Sequence, residues 1–158
     1  MMRITEKGEK ARELFLSGYN CAQAVAGAFS EEMGLPSEAV LRMTMPFGGG
    51  MGRLREVCGA FSGIVFVVGQ LYGDAEPQSP NKAAVYAVVQ SMSEKFKAEM
   101  GSIICREILS LDKGSGTDPH PSKRTEEYYH KRPCAEICAL AASMLEEYIN
   151  EKNGTVVG

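Results

Sequence analysis

From Val57 to Gly73 the chain reads "VCGAFSGIVFVVGQLYG", seventeen positions without a charge and with Gln70 as the one clearly polar side chain. A stretch like this must be covered by the rest of the protein. It is slightly short for a membrane span, and its glycines and serine suit a packed core helix better. The pattern predicts a helix from Arg53 to about Tyr72, apolar nearly all round and therefore central. Glycine inside a helix costs about 1 kcal/mol relative to alanine, so Gly59 and Gly63 need a compensating gain. Their four-residue spacing puts both on one face, where a second helix can approach closely.

Periodicity elsewhere is also helical, and no segment alternates as a strand would. Thr5 is placed to cap a first helix with Ala11, Leu14 and Phe15 on its apolar face, closed at Gly18. Asn20 is placed to cap a second, with Cys21, Ala24, Val25 and Ala28 inward, ending at Gly34. Pro36 to Met45 reads as a short helix, "PFGGGMGR" as a loop and "GDAEPQSP" as a linker, with Ser79 capping the next helix. That helix buries Val85, Val88, Val89, Met92 and Phe96 and stops at Gly101. A short helix carries Ile104, Cys105, Ile108 and Leu109, and "DKGSGTDPHPSKR" reads as a polar surface loop. Pro133 opens the last helix, with Ile137, Leu140, Ala141, Met144, Leu145 and Tyr148 inward. With 158 residues, 44% of them hydrophobic, the chain is expected to form one all-α domain, a compact bundle of five to seven helices. Residues 1–4 and 151–158 are expected to fray.

The net charge of −3, with no basic stripe, gives no electrostatic case for nucleic acid. The start, "MMRITEKGEKARELF", is polar and helical rather than a signal peptide. A cytoplasmic location without membrane insertion is the expectation.

Five cysteines stand at 21, 58, 105, 134 and 138. An odd number without a signal peptide argues against a structural disulfide framework. Cys21 follows a cap, Cys134 follows Pro133, and Cys105 lies in the first turn after Gly101. Helix starts favour a thiolate and lower a cysteine pKa. Each of these cysteines also falls on the inward stripe of its helix, and Cys138 lies one turn beyond Cys134. A converging thiol cluster with Cys58 as its hub is the expectation, set against simple packing of small hydrophobes.

Spacing alone names no metal. Four ligands from four helices could still build a zinc or iron–sulfur site. His120 and His130 read as solvated residues rather than ligands. Glycines run toward a helix start in "FGGGMGRLREVCG", with Arg53 and Arg55 nearby, so Gly49, Gly50, Gly52 and Arg53 are candidates for binding an anion. The segment lacks a preceding strand and the Walker lysine, so it meets neither nucleotide motif.

"GYNCAQAV", "FGGGMGR", "CGAFSG", "CREIL" and "CAEICALAASMLEE" together resemble the family named for its cysteine pattern, C_GCAxxG_C_C, in order from about Ala11 to Tyr148. The family is taken to be redox-active through four cysteines, and no reaction is established for it. The resemblance implies Cys21, Cys58, Cys105 and Cys134 as redox thiols or metal ligands. The position of Cys138 is usually aliphatic there, which leaves Cys138 as an extra thiol or a substitute for Cys134. It further implies an iron–sulfur-type electron-transfer site or a dithiol/disulfide couple, serving a redox partner protein. No C-x-x-C-H occurs, which excludes covalent haem. Two rival readings are a non-catalytic helical module or accessory subunit with buried cysteines, and an enzyme binding an anionic ligand at Gly48–Arg53. Methionines and the Gly59/Gly63 strip leave a homodimer open.

Overall fold

The computed structural model describes residues 3–154. The terminal residues expected to fray at 1–2 and 155–158 lie outside the described residues. Among the described residues, nine α-helices and one short 3₁₀ turn make up the regular structure. The first four are α1 (Glu6–Leu16), α2 (Cys21–Gly27), α3 (Ser30–Met33) and α4 (Ser37–Thr44). They are followed by α5 (Gly59–Tyr72), α6 (Lys82–Met100), α7 (Cys105–Ile108), α8 (Glu126–Lys131) and α9 (Cys134–Lys152). The fold is all-α, as the periodicity predicts. No helix among the described residues is long and apolar enough to cross a membrane.

Two caps fall where the sequence puts them. The Thr5 side chain accepts the Gly8 amide, and Asn20 forms a reciprocal capping box with Gln23. The segment after Asn20 is not one helix to Gly34. It breaks after Gly27 and resumes as α3, which Gly34 ends in the left-handed conformation. Asn81, rather than Ser79, precedes α6, and the Ser79 hydroxyl instead accepts the Asn81 amide. At the other end of the chain α9 continues through Glu151 and Lys152.

The uncharged stretch starts its helix later than its apolar character suggests. Residues 53–57 are not helical, and α5 begins at Gly59 with Cys58 as its cap. Hydrophobicity marks what is buried, and it does not mark where helical dihedrals begin. α5 also shares the centre of the bundle. It packs on α2, α3, α6 and α9, while α2 packs on α1, α4, α5 and α9 and is buried from Ala22 to Gly27. Alanine and glycine make α2 thin enough to be enclosed on all sides. Gly63 is the reciprocal device on α5: a Cβ there would lie 2.9 Å from Val25 Cβ and 3.0 Å from the Ala22 carbonyl oxygen. The Gly59/Gly63 strip is therefore occupied by α2. The core around them holds Phe15, Phe29, Ile64, Phe96, Met92, Met144 and Leu145, all essentially without exposure.

Candidate functional site

Two extended pieces of chain that periodicity does not reveal set up the site. Residues 56–58 and 103–104 run antiparallel, with Val57 and Ile104 bridged, and α7 begins directly after them. Cys58 N donates to Ile103 O at 2.7 Å, Cys105 N to Glu56 O at 2.6 Å and Arg106 N to Arg55 O at 3.2 Å. The bridge brings Cys105 near Cys58, close enough for the two thiols to feel one another's charge. Cys21 and Cys134 are the first residues of α2 and α9, two helices in contact. The Cys21 sulfur has those of Cys134 and Cys138 as immediate neighbours.

These pieces surround one cavity of about 430 Å³. Cys21, Cys58, Cys105 and Cys134 all line it. Cys138 is fully buried beneath, its Sγ 3.9 Å from the Cys21 carbonyl oxygen, and is not part of the lining. Gly49, Gly50, Gly52 and Arg53 line the same cavity. The thiols and the glycine loop, which the sequence offers as two separate sites, are thus two walls of one. His120 and His130 are exposed and are not among the residues that line it.

The glycine loop is a left-handed turn. Gly49, Gly50, Met51, Gly52 and Arg53 have φ values of 66, 72, 70, 54 and 63°, and Arg55 follows at 62°. Left-handed backbone costs about 1–2 kcal/mol at each non-glycine residue, so Met51, Arg53 and Arg55 are held there against preference. Hydrogen bonds from Arg53, Arg55 and Glu56 amides back to Gly48, Gly49 and Gly50 carbonyls do the holding. Gly50 has no substitute: a Cβ would lie 2.6 Å from Cys105 Cβ and 2.8 Å from Arg55 Cα.

Ionisation of the thiols departs from the expectation that helix starts lower their pKa. Burial pushes Cys58 up to about 12, against the pull of the Ala60 and Phe61 amides at the start of α5. Contact with Cys21, then burial, hold Cys134 well above the ordinary range. For Cys21 the contact with Cys134 favours the thiolate, but the Cys138 contact and burial outweigh it. Cys138 is raised by burial, opposed by Cys21. Desolvation beats the helix-end field here because these sulfurs have little access to water. Both thiols of the Cys21–Cys134 pair are thus held above the ordinary range.

Among the described residues, no three His, Cys, Asp or Glu side chains stand close enough to hold one metal ion. The four thiols face a shared space rather than a shared point, so a single zinc does not fit them. An iron–sulfur cluster needs four thiolates around a larger body, and this donor set fits it in kind.

Three further lining residues escape the sequence reading: Arg124, Tyr128 and Arg132. Tyr128 and Arg132 belong to α8 and its end. That helix is signalled by Thr125, whose hydroxyl accepts the Tyr128 amide, followed by Glu126 and Glu127 in the first turn. The polar segment Asp112–Arg124 is more than a surface loop, since Pro119, Pro121, Ser122 and Arg124 form part of the cavity wall. Arg124 is anchored by its N–H groups to Phe15 O (2.8 Å) and Tyr19 O (3.0 Å), with its guanidinium over the Phe15 ring.

A family model described as "Putative redox-active protein (C_GCAxxG_C_C)" matches residues 19–148. No curated protein matches the chain, and no solved structure does.

Proposed function

The chain belongs to the C_GCAxxG_C_C family, and from that premise we propose that its cysteine-lined cavity is the redox centre, working as a dithiol/disulfide couple of Cys21 and Cys134. One observation carries this reading: the two sulfurs are immediate neighbours on the wall of an open cavity, and Cys21 is the least buried of the five cysteines. Cys21, the more accessible of the two, gives up its proton and attacks one sulfur of a disulfide on the redox partner. That partner bond breaks and its first thiol leaves with a proton. Cys134 then gives up its proton and attacks the Cys21 sulfur of the mixed disulfide, releasing the second partner thiol. Two cysteines are oxidised and one disulfide is reduced. Cys58 and Cys105, brought near one another by the Val57–Ile104 bridge, are a second pair facing the same space.

A specific observation favours a second reading, an iron–sulfur cluster held by Cys21, Cys58, Cys105 and Cys134. These four face one space large enough for a multinuclear group. Such a cluster supplies one-electron transfer. The protein's part would be to present four deprotonated sulfurs and to exclude water.

Protein prepared without oxygen separates the two. Visible absorbance and iron analysis are followed by equilibration in dithiothreitol redox buffers with thiol counting. The dithiol reading expects colourless protein that reversibly loses two thiols, a loss abolished in Cys21→Ser and kept in Cys138→Ser. Stoichiometric iron with visible absorbance favours the cluster. Colourless protein with five unchanging thiols overturns both.

A further inference from the structure

The cavity wall holds four arginines, Arg53, Arg55, Arg124 and Arg132, and no Asp or Glu. This is unexpected in a chain whose 20 acidic residues outnumber its 17 lysines and arginines. None of the four is ion-paired to a carboxylate among the described residues. Arg55 is the sharpest case, only 5% exposed. Its Nε donates to Gly116 O at 2.8 Å and one terminal nitrogen faces Cys105 Sγ at 3.6 Å. Arg53 Nε donates to the Asp118 backbone oxygen, and the Asp118 carboxylate is taken by His120. Arg124 is satisfied by the Phe15 and Tyr19 carbonyls, and Arg132 makes no side-chain hydrogen bond to the described protein. Carbonyls satisfy hydrogen bonds but do not cancel charge, and a buried cation without a counter-charge is disfavoured. The arginines also feel one another: burial, then Arg55 and Arg132, hold the Arg53 guanidinium below its ordinary value, against the opposing pull of the Asp118 carboxylate.

Beside Arg53 and Arg55, the amides of Gly49 and Gly50 donate to no other described residue, whereas those of residues 51–56 are used within the left-handed turn. Charge, free amides and an apolar remainder (Phe15, Ile108, Leu109, Ile137) are what a pocket for a small charged organic molecule provides.

We propose that this cavity binds a small molecule bearing an oxyanion, a carboxylate or phosphate group, through Arg55 and Arg132 beside the thiols. As a binding site it stands on the arginines alone. A purely structural role for the arginines, stapling residues 112–124 through carbonyls, would leave anion binding absent.

The test measures calorimetric binding of three probes, inorganic phosphate, succinate and uncharged succinamide, to reduced protein and to the Cys21→Ser/Cys134→Ser double variant. The expected result is binding of one or both anions, no binding of succinamide, and no dependence on the two thiols. Phosphate without succinate assigns the phosphate class, and the converse the carboxylate class. Arg132→Gln, which removes no protein hydrogen bond, should weaken the anion about ten- to a hundredfold, as expected for a charged hydrogen bond. Arg55→Gln should do the same wherever it folds. Absence of binding by both anions, or binding that Arg132→Gln leaves unchanged, overturns the proposal even if the thiol couple is real. Anion binding in a protein whose thiols never cycle would instead leave the site standing and remove the redox reading.

Discussion

Cys58 is 6% exposed at the start of α5, where burial holds its thiol up to about 12 against an ordinary 9.0. A thiol that ionises less readily in the folded state favours folding fully below the unfolded value. That contribution is lost as pH climbs from about 9 toward 12. At about pH 10.5 the unfolded thiol is nearly all ionised and the folded one is not, which costs the folded state about 2 kcal/mol from this residue alone. Cys21, Cys134 and Cys138 are raised as well and act in the same direction. The assay is urea unfolding of fully reduced protein across a pH series, beside Cys58→Ala. The variant loses a constant amount for its missing sulfur, but its stability should fall less steeply above about pH 9, the curves closing by about 2 kcal/mol at pH 10.5. Parallel curves would refute the claim that Cys58 is held neutral by burial.

Replacing Gly63 by alanine should gain about 1 kcal/mol of helix propensity and lose about 1–3 to overpacking on Val25 and Ala22. The net effect is a lower melting temperature, read by calorimetry. Gly50→Ala should be worse, since a Cβ there meets Cys105 and Arg55 and the backbone is left-handed, whereas Gly52→Ala meets only Pro46 O at 3.7 Å and pays the backbone term alone. A loss in Gly52→Ala equal to that in Gly50→Ala would contradict the packing account. Thr5→Ala removes a cap and should cost about 1 kcal/mol in urea unfolding, with the helix retained.

Most of the fold was legible because caps and periodicity are local. Thr5, Asn20, Gly34 and Gly101 act on the residues beside them. The start of α5 was not legible, because what keeps residues 56–58 out of the helix is the bridge between Val57 and Ile104, about fifty positions away. The same pairing puts Cys105 beside Cys58. The helix starts at Cys21 and Cys134 could be read from Asn20 and Pro133, and so could the inward direction of their thiols. Their ionisation could not, because a helix-end rule carries no information about burial. The arginine wall was half visible, with Arg53 and Arg55 next to the glycines. Arg124 and Arg132 reach the cavity only because the polar segment after Asp112 folds back over it.

The central claim is that Cys21 and Cys134 are the working pair and Cys138 a buried neighbour. Its most direct test is to oxidise the reduced protein stepwise in redox buffer, block free thiols and map disulfide-linked peptides by mass spectrometry. The account predicts that the first bridge to form joins the peptides of Cys21 and Cys134, reversibly, with Cys138 blocked only after unfolding. A first bridge between Cys21 and Cys138, or no bridge under any poise that oxidises ordinary protein dithiols, would contradict it.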